Sequence, residues 1–206
     1  MINGKLIKVC GMLNGENIRE IENLGVDMIG FIFYPKSPRY IMEMPHYLPQ
    51  KAKRVGVFVN EDKETIKIFG DRFSLDYIQL HGKESPEYCR TLKSKGVKII
   101  KAFSIAHEKD LEEVYLYEDS CDYFLFDTKC KQYGGSGSQF DWGILKAYQG
   151  TTPFLLSGGI NLYSVRELKE FIHPQFAGID INSRFEIKPG YKDMNRIKAF
   201  LEQFKK

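Results

Sequence analysis

Eight short apolar runs recur along the chain about every 20 to 30 residues, and this repeat constrains the fold more than any single motif. They fall at residues 6–11, 28–34, 55–59, 77–81, 98–104, 123–128, 154–157 and 178–183. β-Branched and aromatic side chains dominate them, and glycine or asparagine closes several, as in buried strands. The second run, Met28-Ile29-Gly30-Phe31-Ile32-Phe33-Tyr34, is apolar on both faces, which suits a parallel sheet covered on both sides. Between the runs lie segments of helical character. Asn14 precedes Ile18, Ile21 and Leu24, and Gly25 stops the pattern. Further helices are expected near 43–52, over 62–73, 86–95, near 142–148, over 164–171 and 193–204; residues 107–119 read as a helix or a partly irregular crossover. Eight βα units are best satisfied by a (β/α)8 barrel. A chain of 206 residues holds one full core and is short for two, so a compact single domain over 1–206 is expected. A doubly wound sheet is the rival, but its G-x-G-x-x-G turn is absent after the first strand.

In such a barrel the chemistry sits at the C-terminal ends of the strands. Alternation puts Lys8 and Cys10 on one face of the first strand, an odd pair for an apolar wall. The strand alone leaves two readings open: a filler cysteine beside a snorkelling lysine, or a thiolate base beside a positive charge. Asp180 is the natural neighbour of Lys8, because the first and eighth strands adjoin in a closed barrel, and a structural ion pair is expected there. Asp127 shares a face with Tyr123 and Leu125; if that face is the inner one, its carboxyl hangs over the mouth as a general acid, otherwise it caps a loop. His81 reads equally as a base or as a hydrogen-bonded structural group. Arg39, on a proline-stiffened loop, offers a planar fork to a carboxylate or is simply exposed. Gly158 and Gly159 after the seventh strand, with Asn182 and Ser183 after the eighth, stand where such barrels bind phosphate; two tight turns are the plain alternative. The loop Gly134-Gly135-Ser136-Gly137-Ser138 is a lid or a linker.

A net charge of +3 without a basic run argues against nucleic acid but admits small phosphorylated molecules. No apolar run is long enough to span a membrane, and the N-terminus lacks a signal-peptide pattern, so a cytoplasmic protein is expected. The four cysteines show no C-x-x-C spacing and the four histidines no paired spacing; no metal site is expected.

Taken in order, several motifs carry a resemblance. They are Lys8-Val9-Cys10-Gly11, Ser37-Pro38-Arg39, Val57-Phe58-Val59-Asn60, Gln79-Leu80-His81-Gly82, Phe126-Asp127, the glycine-rich loop leading to Trp142, Leu156-Ser157-Gly158-Gly159-Ile160, and Gly178-Ile179-Asp180-Ile181-Asn182-Ser183 with Glu186. The set resembles the phosphoribosylanthranilate isomerases of tryptophan biosynthesis and runs nearly end to end. The resemblance implies an Amadori rearrangement with Cys10 as general base and Asp127 as general acid. It also implies Arg39 on the anthranilate carboxylate and phosphate on Gly158, Gly159, Asn182 and Ser183, with Lys8, His81, Gly135 and Asp180 in support. No cofactor is implied, the only partner is the phosphorylated substrate, and a monomer is expected with a dimer as the alternative. Arg184 departs from the family pattern by standing where glycine is common; it alters the phosphate loop or contacts the anion. Indole-3-glycerol phosphate synthase, a ribulose-phosphate epimerase and a catalytically inactive metabolite-binding barrel are the rival readings.

Overall fold

Strand β1 (Leu6–Val9) pairs with β2 (Met28–Ile32) on one side and with β8 (Phe176–Ile181) on the other, so the sheet closes on itself. Between them run β3 (Lys53–Phe58), β4 (Tyr77–Leu80), β5 (Ile99–Ile105), β6 (Tyr123–Thr128) and β7 (Phe154–Ser157), all parallel and in chain order. The computed structural model describes residues 1–128 and 142–206; the 134–138 loop, Gly135 included, lies outside the described residues. The architecture is the expected (β/α)8 barrel.

Local chemistry starts each helix. Asn14 caps α1 (Gly15–Asn23) by accepting from Asn17 N, and Asp62 caps α2 (Lys63–Phe73) through Glu64 N and Thr65 N. Ser85 caps α3 (Pro86–Lys93), whose first-turn proline has no amide to leave unsatisfied. The 107–119 crossover is mixed: α4 (Leu111–Val114) lies between two 3-10 segments. The helix expected near 142–148 is a 3-10 helix, Trp142–Ala147. The next pairs a 3-10 turn, Leu162–Ser164, with α5 (Val165–Glu170). The chain ends on α6 (Met194–Lys205), capped by Asp193.

Two features depart from the sequence expectation. No helix forms over 43–52. Pro45 and Pro49 each remove an amide donor and push the preceding residue out of helical geometry. Buried Glu22 of α1 then collects the chain, accepting the amides of Gln50 at 2.8 Å, Lys51 at 2.6 Å and Ala52 at 2.8 Å, and the Tyr47 hydroxyl. The second departure is an antiparallel hairpin inserted between β8 and α6, made of β9 (Glu186–Lys188) and β10 (Tyr191–Lys192). Its turn needs Gly190, where φ is +81° and a Cβ would stand 2.4 Å from Leu13 Cδ1.

The barrel interior changes character along its axis. Its lower part is apolar, with Met28, Val55, Ile100, Ala102, Leu125 and Leu155 packed against Leu6, Tyr77 and Tyr123. Toward the C-terminal ends the buried residues become Lys8, Gln79 and Asp180. That polar layer is the floor of the site.

Candidate active site

Above the polar layer opens a cavity of about 230 Å³, lined from β1 by Cys10, from β4 by His81, from β6 by Asp127 and from β8 by Asp180. Gly158, Gly159, Asn182, Ser183 and Arg184 complete its wall. A larger groove of about 330 Å³ lies on the outer surface between α2 and α3, far from these groups and lined by Ile66, Leu92 and several lysines.

Cys10 leaves β1 with its amide bonded to Ile181 O at 3.0 Å, and it is 3% exposed. Room for the sulfur comes from Gly30, where a Cβ would lie 2.8 Å from Sγ. Lys8 lies one inward position below, fully buried, with Nζ 2.9 Å from Asp180 Oδ1. The pairing follows from register, since Lys8 stands opposite Asp180 across the β1–β8 ladder. Burial opposes the Lys8 ammonium, but Asp180 and then Cys10 outweigh it and raise its pKa. The thiol moves the other way from the one expected for a cysteine beside a free lysine. Burial pushes Cys10 up; Lys8 and, more weakly, Lys192 pull it down, while Asp180 adds to the rise. Lys8 is thus partly neutralised by Asp180, and the expected lowering of the thiol does not result.

Asp127 sits on the inner face with Leu125, its side chain 32% exposed, and Oδ2 lies 3.4 Å from His81 Nε2. The other ring nitrogen of His81 is 3.1 Å from Gln79 Nε2. Nδ1 thus faces the Gln79 amide while Nε2 faces Asp127. Gln79 Oε1, buried beside the cavity, has no hydrogen-bond partner among the described residues.

At the rim, Gly158 and Gly159 both take positive φ, +87° and +70°, a conformation open to glycine that exposes successive amides. Ser183 and Arg184 lie on the 3-10 turn Ser183–Phe185 and both are exposed. Arg39 is placed differently from the expectation of a free fork. Its Nε donates to Glu186 Oε1 at 2.8 Å and its Nη2 to Oε2 at 2.6 Å, so the planar edge is already occupied. It packs on Gly11, where a Cβ would meet Arg39 Cδ at 2.6 Å, and it does not line the cavity. These two hydrogen bonds and the buried Lys192 hold the Glu186 carboxyl down at about 2, against the opposing effect of burial.

The chain therefore carries an inward thiol, an inward carboxylate and a pair of positive-φ glycines on one barrel mouth. Residues 7–203 match the family model of N-(5'-phosphoribosyl)anthranilate (PRA) isomerase. The chain belongs to that isomerase family. An N-(5'-phosphoribosyl)anthranilate isomerase from Phocaeicola vulgatus is 54% identical over 200 residues, covering 97% of this chain and 98% of the relative. A crystal structure of phosphoribosyl anthranilate isomerase in complex with reduced 1-(o-carboxyphenylamino)-1-deoxyribulose 5-phosphate superposes with a TM-score of 0.82 at 34% identity, covering 98% of each chain. A structure of monomers generated from the dimeric Thermotoga maritima enzyme superposes with a TM-score of 0.81 at 34% identity, again covering 98% of each.

Two buried charged groups beside the cavity escape the sequence reading. Lys192 was not singled out, because a lysine just before the Asp193 helix cap reads as an exposed flank; only the hairpin turns it inward. Glu186 was noted within a motif without a role, and its partners, Arg39 and Lys192, are 147 and 6 residues away. Among the described residues no cluster of His, Cys, Asp and Glu suits a metal ion, and no helix is long and apolar enough to cross a membrane.

Proposed function

We propose that the chain converts N-(5'-phosphoribosyl)anthranilate to 1-(2-carboxyphenylamino)-1-deoxyribulose 5-phosphate, an Amadori rearrangement of tryptophan biosynthesis, with Cys10 as base and Asp127 as acid. The observation that carries this reading is one cavity that receives Cys10 from β1 and Asp127 from β6, with Gly158, Gly159, Asn182 and Ser183 at its rim. Asp127 gives a proton to the ring oxygen as the C1–O bond breaks and the amine nitrogen forms a C=N double bond. Cys10 then removes the C2 proton; the C2–H electrons form a C1=C2 bond and the C=N electrons return to nitrogen. The resulting enolamine tautomerises to the C2 ketone. Nitrogen is the electron sink, so the chemistry runs without a cofactor.

The active form pairs a Cys10 thiolate with a protonated Asp127. His81, 3.4 Å from Asp127, orients that carboxyl. Gln79 Oε1, without a partner among the described residues, is available to accept a substrate hydroxyl. The phosphate takes the Gly158–Gly159 amides and the Ser183 turn, and Arg184 adds a positive charge at the same rim. Arg39, next to the cavity rather than in its lining, has Nη1 left by Glu186 for an anthranilate carboxylate that extends past the rim toward Gly11. A base that must remain a free thiol suits a reducing compartment such as the cytoplasm.

The test is turnover of freshly prepared phosphoribosylanthranilate, followed as loss of its fluorescence, after treatment with a chelator. Wild type is expected to be active, and Cys10→Ser and Asp127→Asn each to lower kcat by about a thousandfold with the fold intact. A folded wild-type protein without turnover overturns the assignment.

A further inference from the structure

We propose that Lys192 is a positioning residue of this site: its buried ammonium fixes the Asn182 amide and supplies the surplus positive charge beside Cys10. The inference rests on the reading of Cys10 as the base.

Lys192 is on β10, its side chain fully buried. An ammonium in that position is costly unless something compensates it. The hairpin backbone is held without it: Asn17 of α1 accepts from Lys192 N at 2.7 Å and donates to Lys192 O at 2.9 Å. Both bonds would form with an apolar side chain at the position. The charged end is not needed for these two bonds: it pairs with Glu186 across the hairpin and also reaches out of the hairpin to Asn182.

Its partners show what that is. Nζ lies 2.7 Å from Asn182 Oδ1 and 2.6 Å from Glu186 Oε1. An ammonium only donates, so the Asn182 oxygen is committed to it, and the amide nitrogen is left as a donor for the cavity that Asn182 lines. The same oxygen would stand 3.0 Å from a Cβ on Gly11, the residue after Cys10, so the cluster abuts the base.

The charge balance around the thiol points the same way. From β1 and β8, Cys10 faces Lys8 and Asp180, a pair without net charge. From the loop after β2 and from the hairpin come Arg39, Lys192 and Glu186, two cations sharing one carboxylate. Across the cavity His81 and Asp127 face each other 3.4 Å apart; within the cluster on the near side of Cys10, Lys192 turns a neutral set positive, which favours a thiolate. Burial lowers the Lys192 pKa, and Glu186 at about 2 is the counter-charge that keeps it an ammonium.

The experiment titrates Cys10 in the substrate-free protein by ultraviolet thiolate absorbance, as the difference between each protein and the same protein carrying Cys10→Ser. Lys192→Met is expected to raise the Cys10 midpoint by about one pH unit, and the alkaline rise of kcat/KM to move with it. Lys192→Gln removes the charge but keeps a donor for Glu186 and Asn182, and is expected to raise the midpoint likewise, whereas Lys192→Arg, which keeps the charge, is expected to leave it within about 0.3 unit. A residue that only braces the hairpin would move the midpoint in none of these variants. An unchanged midpoint in folded Lys192→Met overturns the proposal; if that variant does not fold, an unchanged midpoint in Lys192→Gln does so. Because the titration needs no substrate, a shifted thiol in a wild-type background without isomerase turnover would refute the assigned reaction and leave the charge relation standing.

Discussion

Buried lysine–carboxylate pairs stand on opposite sides of this barrel, and they are bonded in different ways. On the β4–β5 side, Lys101 donates to the carbonyls of Leu80, Gly82 and Ala102 at 3.3, 2.8 and 3.0 Å and lies 3.3 Å from Glu84. Glu84 in turn accepts the amides of Asn60 and Gly82. The donors of that ammonium are spent on backbone carbonyls at the end of β4, just after it and in β5, while Glu84 reaches the loop after β3, and the pair acts as a bracket. On the β1–β8 side, the partners of Lys8 among the described residues are side chains, Asp180 at 2.9 Å and the Cys10 thiol, and no backbone carbonyl. A buried charge bonded to carbonyls holds backbone in place. One bonded to side chains retains capacity to act on a neighbour whose charge changes.

Substitutions on the two sides should separate these roles. Lys8→Met leaves Asp180 uncompensated beside the thiol, and kcat is expected to fall by about a thousandfold, read in the fluorescence assay. Lys101→Met is expected to cost about 4 kcal/mol of stability in urea titration, with turnover of the folded fraction kept within about tenfold. Equal losses of turnover in both variants would erase the distinction between bracket and tuning pair.

Acid pH tests the hairpin pair. Glu186 titrates at about 2 in the fold against an ordinary 4.5. Its contribution of about 3 kcal/mol is fully present above 4.5 and is lost as pH falls toward 2. Denaturation midpoints measured across that window should fall less steeply in Glu186→Gln than in wild type. The smallest effect is expected from Asp180→Asn, which removes a charge that disfavours the thiolate while Lys8 remains. The Cys10 limb of the pH profile should move down by about one unit, and an upward move would contradict the assigned sign.

Much of the fold was readable because strands and helix starts are encoded locally. The apolar runs predicted all eight barrel strands, and caps such as Asn14, Asp62 and Ser85 stand where helices begin. The segment over 43–52 was misread because Glu22, more than twenty residues upstream, supplies hydrogen bonds that a local pattern does not show. Within the cavity, Cys10, Asp127, His81 and the Gly158–Gly159 pair were visible from strand ends and alternation. Lys192 was not, since its inward course depends on a hairpin closed by Gly190 and clamped by Asn17.

By itself the sequence determined the barrel, the end of it expected to carry chemistry, and which side chains share a face there, because period-two alternation and the βα repeat are properties of short stretches. Tertiary structure alone decided the charge state of the mouth. The Lys8–Asp180 pair was expected from strand order, but Glu186 took the fork of Arg39 and the hairpin buried Lys192 against Asn182 only in the folded chain. Such effects depend on distance and desolvation among residues far apart in the chain, and these exist only once the chain has folded.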